Sequence, residues 1–140
     1  MKKRIRVYLD TSVIGGVYDS EFKLYSLQLF DAIRNGIYSA VVSRLTVDEL
    51  ELAPEKIKKV LTTIPKNNLE IITITPEIRD LAAAYIKENV VSYSFQNDAI
   101  HIAAATVNNV DLLVSWNFKH IVNFRKIHLY NSVNLKMDTI

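Results

Sequence analysis

The stretch Arg6–Gly16, RVYLDTSVIGG, places one carboxylate directly after a short apolar run. The apolar residues predict a buried strand over 5–9. Asp10 follows this strand, and no basic residue comes after it within the stretch. An acid at the edge of a core is costly unless something compensates its charge. Asp10 is therefore the first candidate for a functional residue.

Further apolar runs and helical spacings organise the rest of the chain. The predicted strands cover 5–9, 38–43, 69–74, 112–115 and 127–130. The predicted helices cover 21–35, 46–53, 54–64, 76–88 and 97–108. Strands that alternate with helices are typical of an α/β fold with a mostly parallel sheet. No composition shift marks an internal boundary, so a single domain over 1–140 is expected.

For two of these helices, the sequence also predicts which side chains are buried. In the helix over 21–35, the expected apolar face contains Phe22, Tyr25, Leu29 and Ile33. The helix over 97–108 is unusually rich in alanine and isoleucine, which predicts burial on most of its sides.

Composition excludes several classes of protein. The chain has 140 residues, of which 49% are hydrophobic, so it can build one core and is not a disordered chain. The absence of cysteine excludes disulfides, thiolate catalysis and cysteine-bound zinc. No apolar run approaches the roughly 18 residues of a membrane span. Asp10 interrupts the segment that follows the basic N-terminus, so a soluble cytoplasmic protein without a signal peptide is expected.

The charge is only mildly basic, with a formal net value of +2. Basic residues nevertheless cluster near the two ends of the chain. The clusters are Lys2, Lys3, Arg4 and Arg6, and Lys119, His120, Arg125, Lys126 and His128. Solvated surface is the simpler interpretation of both clusters, and a surface for RNA is the functional one.

The predicted topology brings three acids and one amide to the same edge of the sheet. Asp10 and Asn117 each follow a strand and so lie at the carboxyl edge of the sheet. Glu49 lies early in the helix after a strand, and Asp98 begins the buried helix, so both are expected at the same edge. Asp111 precedes its strand and falls at the opposite end. Gathered carboxylates require a cation, and oxygen ligands suit Mg²⁺ or Mn²⁺. Such a site can activate water and hold a phosphodiester.

Each of these residues also has a structural interpretation. The segment 46–49 matches a capping box, in which Glu49 would cap its own helix. Asp98 could interact favourably with the N-terminal end of the helix dipole. Asp10 could be an ordinary turn aspartate. Thr11 and Ser115 could hydrogen-bond a metal ligand or water, or could be simple turn hydroxyls.

The histidines and the single tryptophan give weaker signals. His101 lies one turn after Asp98 and is expected to be buried and hydrogen-bonded rather than to act as a base. His120 and His128 are expected at the surface. Trp116 is expected to serve in packing rather than as a platform for a nucleic-acid base.

Three segments, VYLDTSVIGG (7–16), VSRLTVDELE (42–51) and NDAIHIAAATVNNVDLLVSWNFKHIVN (97–123), occur in an order and spacing that span nearly the whole chain. With them the sequence resembles the PIN domain, in its VapC toxin branch. The resemblance implies a three-layer α/β/α fold with a central, mostly parallel sheet. It also implies an endoribonuclease that depends on Mg²⁺ or Mn²⁺, often a homodimer restrained by a small antitoxin.

Carried across residue by residue, the resemblance gives Asp10, Glu49 and Asp98 as the acids that hold the metal. The fourth catalytic position, commonly an aspartate, is Asn117 here. An amide oxygen brings no charge, so the alternative is a degenerate PIN domain that binds RNA or a protein without cleavage.

Lys119 and His120 are the candidates for contacts with the RNA backbone. Two other classes of α/β protein with an acidic pocket fit less well. A phosphatase of the haloacid dehalogenase type requires a second aspartate at the position of Ser12. A response-regulator receiver requires paired acids ahead of its phosphoacceptor strand, whereas the charged residues of this chain before Asp10 are all basic.

Overall fold

The computed structural model describes residues 4–137, apart from the side chain of Phe124. Lys2 and Lys3, from the predicted N-terminal basic cluster, lie outside the described residues. The chain divides into two compact units. Unit 1 comprises Met1–Ile72 and Val110–Trp116, and unit 2 comprises Thr73–Asn109 and Asn117–Ile140.

Unit 1 contains a four-stranded, fully parallel sheet in the order β3-β2-β1-β4. The strands are β1 (Ile5–Leu9), β2 (Tyr38–Ser43), β3 (Leu69–Ile72) and β4 (Leu112–Val114). Successive residues of β1, from Val7 to Leu9, are at most 1% exposed, which agrees with the continuous apolar run that predicted this strand. Leu9 pairs with Val114, so the residues that follow β1 and β4 are neighbours at the carboxyl edge.

Four helices also belong to unit 1: α1 (Thr11–Gly15), α2 (Lys23–Arg34), α3 (Arg44–Leu50) and α4 (Glu55–Lys58). Phe30 and Ile33 of α2 pack in one buried cluster with alternate residues of β1 and β2. The expected apolar face of α2 is partly wrong, because its buried residues are Ser26, Phe30 and Ile33, whereas Tyr25 is 58% exposed. Gly36 ends the helix region with a φ of +78°, a conformation that glycine adopts without strain.

Unit 2 contains α5 (Pro76–Lys87), α6 (Gln96–Val107) and α7 (Phe124–Lys136). Every residue of α6 from Ala99 to Ala105 is buried, which confirms the prediction for this alanine-rich helix. Tyr85 of α5 meets Tyr130 of α7 edge to face, with the ring centroids 4.8 Å apart. The buried Tyr85 hydroxyl donates to Asn134 Oδ1, and burial raises the pKa of Tyr85 to about 12.

The strand predicted over 127–130 is wrong, because these residues lie inside α7. The Asn123 side chain accepts a hydrogen bond from Lys126 N and so caps the helix. Tyr130 and Val133, three residues apart, are both buried, as helical spacing requires.

Several boundaries also differ from the prediction; for example, β3 ends at Ile72 rather than at 74. Helix α3 begins at Arg44 rather than at 46, and α4 ends at Lys58, after which a short 3₁₀ turn covers Leu61–Thr63. Within residues 4–137, none of the helices is long and apolar enough to cross a membrane.

Candidate active site

Asp10 is buried at the carboxyl end of β1, with only 4% of the residue exposed. Its Oδ1 atom accepts hydrogen bonds from Ser12 Oγ (2.6 Å) and Val13 N (3.3 Å), so Asp10 is the N-cap of α1. Its Oδ2 atom accepts from Ser115 Oγ at 2.7 Å. All three donors are neutral groups, so these hydrogen bonds orient the Asp10 carboxylate without cancelling its charge.

Glu49 is brought next to this segment by α3. Thr11 Oγ1, on the residue after Asp10, donates a 2.7 Å hydrogen bond to Glu49 Oε1. The capping interpretation of Glu49 is wrong, because the capping box of α3 consists of Ser43 and Thr46. Two carboxylates of unit 1 are therefore each held by a hydroxyl at the same edge of the sheet.

Tyr8 supports the cap of α3 from within the core. Its hydroxyl donates to Ser43 Oγ at 2.9 Å. Burial, above all, raises the pKa of Tyr8 to about 12, and the charges of Asp10 and Glu49 also raise it. Tyr8 is therefore a stable donor at neutral pH and keeps the β2–α3 junction in place.

The donor groups of this site are hard oxygens, which suit Mg²⁺ or Mn²⁺ better than zinc. A carboxylate offers about four lone-pair directions, and the Asp10 carboxylate uses three of them for the hydrogen bonds above. In neither unit do three His, Asp or Glu side chains of the described residues group as ligands of a metal ion. Unit 1 thus supplies two of the three predicted acids, and their chemistry fits a hard divalent cation.

Asp98 lies in the first turn of α6 in unit 2. Burial first, and then the charge of Asp98, raise the pKa of the Tyr130 hydroxyl. Tyr130 therefore stays protonated and donates a 2.8 Å hydrogen bond to the His120 carbonyl oxygen. His101, one turn further along α6, is buried, as predicted.

Asn117 begins the turn that leads towards α7. Its Oδ1 atom accepts from the backbone N–H groups of Lys119 (3.2 Å) and His120 (2.9 Å). Its carbonyl oxygen accepts from the N–H groups of Ile121 and Val122. An aspartate could accept the same side-chain bonds, so this turn is compatible with either residue at the fourth predicted position.

His120 is buried, so the expectation that it lies at the surface is wrong. Its ring packs on Phe95, with centroids 4.0 Å apart, and its Nδ1 atom lies 3.1 Å from Lys126 Nζ. Burial first, and then the Lys126 charge, lower the pKa of His120. The lowered pKa favours the neutral ring at pH 7, and an unprotonated Nδ1 atom can accept a hydrogen bond from the Lys126 ammonium group.

Of the two residues predicted to contact the RNA backbone, Lys119 is the exposed one. Its Nζ atom lies 5.8 Å from the centroid of the Phe95 ring. His128 is exposed, as expected. Asp111 precedes β4, and its Oδ2 atom accepts from Arg6 N at the start of β1, so its predicted place at the far end of the sheet is confirmed.

Sequence reasoning missed the cluster of aromatic residues beside Asp10. Trp116 stacks on Phe22 with the rings nearly parallel, and this contact agrees with the packing role expected for Trp116. The signal available in the sequence is the i, i+3 spacing of Phe22 and Tyr25, which the helical pattern places on the predicted apolar face of α2.

Comparison with known proteins identifies the family. The PIN domain model matches residues 7–120, and the chain therefore belongs to the PIN domain family. The predicted fold class, a three-layer α/β/α PIN-like fold with a central parallel sheet, is confirmed. No curated protein matched this sequence.

Several solved structures share the fold. One is a chain of a toxin–antitoxin complex from Klebsiella pneumoniae, with 19% identity, a TM-score of 0.62, and coverage of 86% of this chain and 93% of that chain. Another is Mycobacterium tuberculosis VapC20, a toxin that cleaves the sarcin–ricin loop. It has 10% identity and a TM-score of 0.62, and the match covers 81% of this chain and 92% of that chain. A third is VapBC2 from Rickettsia felis, bound to promoter DNA. It has 18% identity and a TM-score of 0.56, and the match covers 82% of this chain and 90% of that chain.

Proposed function

We propose that this chain is a cytoplasmic endoribonuclease that depends on Mg²⁺ or Mn²⁺ and is the toxin of a toxin–antitoxin pair. The observation that carries the proposal is the pair of carboxylates, Asp10 and Glu49, each held by a hydroxyl at the carboxyl edge of a PIN-domain sheet. The structural relatives support the cellular role, since two are toxin–antitoxin complexes and one is a toxin that cleaves the sarcin–ricin loop.

The residues of unit 1 would orient the metal ligands. Ser12 and Ser115 fix the two oxygens of Asp10, and Thr11 fixes one oxygen of Glu49. A divalent cation, when bound, lowers the pKa of a water molecule and offsets the charge of the phosphodiester. The resemblance adds Asp98 as the third acid.

The remaining predicted residues would act on the substrate and its surroundings. Lys119 would hold backbone phosphates, a contact that positions RNA without reading its sequence. Asn117 would orient groups at the site through its carboxamide. A homodimer and a cognate antitoxin are the proposed protein partners.

The central experiment measures cleavage of total RNA by the purified protein in Mg²⁺, in Mn²⁺ and in EDTA. Asp10→Asn and Asp98→Asn should each abolish cleavage, and EDTA should abolish it for the wild type. Asp111→Asn is the matched control, because the same chemical change is made at the other end of the sheet. Cleavage that survives both of the first two substitutions would contradict the proposed site.

The second candidate function is a PIN domain that binds RNA or a protein without cutting, and Asn117 at the fourth position favours it. Wild-type protein that cleaves no RNA with either metal would support this candidate. A titration with millimolar Mn²⁺, in which the fluorescence emission of Trp116 is measured, further separates the two candidate functions. If the emission does not change, the site does not hold the metal.

A further inference from the structure

We propose that an aromatic cluster of unit 1 is a stacking platform for unpaired bases of single-stranded RNA. The cluster consists of Phe22, Tyr25 and Trp116. The inference rests on the proposed function for the presence of RNA, and it deepens that function by naming the form of RNA and the residues that hold it.

Trp116 is held in a slot that fits its indole ring. Its Nε1–H donates to Ser26 Oγ at 2.9 Å, and Ser26 Oγ donates to the Val13 carbonyl oxygen at 3.0 Å. Gly16 makes room for the ring, because a Cβ atom there would lie 2.7 Å from Trp116 Nε1 and 2.5 Å from Ser26 Oγ. The orientation of the indole is therefore set before any ligand arrives, which reduces the entropy lost on binding.

The neighbouring rings extend this fixed surface outwards. The Phe22 ring lies parallel to the indole, with centroids 4.9 Å apart and an interplanar angle of 6°. Tyr25 meets the indole at 56° with a centroid distance of 6.3 Å, and it is 58% exposed. The rings of Trp116 and Phe22 are half-buried. Aromatic faces of this kind stack on any base, so they bind single strands with little preference for sequence.

The cluster is joined to the candidate active site by one hydroxyl group. Trp116 N donates to Ser12 Oγ at 2.9 Å, and Ser12 Oγ donates to Asp10 Oδ1 at 2.6 Å. Ser115, the residue before Trp116, holds the other oxygen of Asp10. A strand whose phosphate lies at Asp10 would therefore pass the aromatic cluster with an adjoining nucleotide.

Cations near the cluster favour a nucleic acid over an apolar protein surface. Lys56 Nζ lies 4.7 Å from the centroid of the Tyr18 ring, at the end of the 3₁₀ turn that begins with Gly16. Lys23 begins α2 beside Phe22 and is exposed. Lysines interleaved with aromatic rings are the pattern by which proteins hold the phosphates and bases of single strands together. The bases of a duplex are already stacked and offer no free face, so the platform selects unpaired RNA.

The test uses the emission of Trp116, which is the single tryptophan of the chain. A ten-nucleotide single-stranded RNA is titrated into the full-length protein in EDTA, and the same RNA annealed into a duplex is the comparison. We expect quenching by the single strand and little change with the duplex. Tyr25→Ala should weaken the single-strand affinity about tenfold, and Tyr25→Phe should retain it. Tyr93→Ala, at an exposed tyrosine of unit 2, is the matched control and should bind as the wild type does.

The outcomes separate this inference from the proposed function. Quenching that disappears in Tyr25→Ala, in a protein that cuts no RNA with metal, would support the platform and refute the nuclease. Metal-dependent cleavage without any effect of single-stranded RNA on the emission would overturn the platform alone. Emission that changes with protein concentration, and not with RNA, would instead show that a second copy of the chain covers the cluster and would also overturn it.

Discussion

Ser115 Oγ donates a 2.7 Å hydrogen bond to Asp10 Oδ2 across 105 residues of sequence. The parallel pairing of β1 with β4 creates this contact, because Leu9 lies opposite Val114 and the next residue of each strand is then Asp10 or Ser115. The bond gives the acid of the first sequence segment a fixed orientation from the last one. It also explains why a serine directly after β4 bears on the proposed chemistry.

Replacing Ser115 tests that orientation. Ser115→Ala removes a charge-assisted hydrogen bond from a buried carboxylate, and we expect RNA cleavage to fall about tenfold in kcat/KM. Ser115→Thr keeps a hydroxyl and should recover most of the activity. The measurement is the cleavage rate of a labelled RNA under substrate-limiting conditions. Full activity in Ser115→Ala would show that Ser12 and Val13 are sufficient to hold Asp10.

Thr11→Val tests the corresponding bond to Glu49. Valine has nearly the same shape as threonine, so the substitution removes the 2.7 Å bond to Glu49 Oε1 with little change of volume. We expect a loss of about tenfold in cleavage rate with circular dichroism unchanged. Thr62→Val is the matched control, because the Thr62 hydroxyl bonds only to a local carbonyl oxygen on the exposed surface. Equal rates for the two variants would contradict a role for Thr11.

The parts of the fold that sequence predicted well are those determined locally. The bounds of β1 and β2 agree with the prediction, because an apolar run buried on both faces is a strong signal over five or six residues. The burial of α6 was likewise encoded in its own composition. The places of Asp10 and Asp111 at opposite ends of the sheet followed from the parallel topology alone.

The errors arose where distant residues decide the outcome. The apolar run over 127–130 predicts a strand, but the Asn123 cap and the burial of Tyr130 and Val133 show that the segment is helical. His120 is predicted at the surface as a member of the basic cluster near the end of the chain. Its burial comes from Phe95, which lies 25 residues earlier and could not be paired with it from sequence.

The buried His120 ring predicts how stability changes with pH. Because the folded state lowers the pKa of His120 below the ordinary value of 6.5, the unfolded chain binds a proton first as the pH falls. The free energy of unfolding should therefore decrease as the pH drops below about 6.5, and the decrease should end below the folded pKa. Lys126 and Lys119 oppose the imidazolium form, and Asp98 partly offsets them.

Urea unfolding at pH 7.5 and at pH 5.5 measures this dependence. His120→Gln should reduce the loss of stability between the two pH values. His128→Gln, at an exposed histidine, should leave the loss as it is in the wild type. A loss that is the same in all three proteins would show that the carboxyl groups, and not His120, govern the response to acid.

Two adjacent glycines provide the sharpest test of the slot that holds Trp116. Gly16→Ala places a Cβ atom 2.5 Å from Ser26 Oγ and 2.7 Å from Trp116 Nε1, so both side chains must move. We expect a loss of about 1–3 kcal/mol in the free energy of unfolding and a shift in Trp116 emission. Gly15→Ala is the matched control, because its Cβ would meet nothing within 4 Å and its φ of −64° suits any residue. That control should be neutral or should gain about 0.5–1 kcal/mol, since it reduces the entropy of the unfolded chain. Equal effects of the two substitutions would mean that the indole is not fixed by its contact with Gly16.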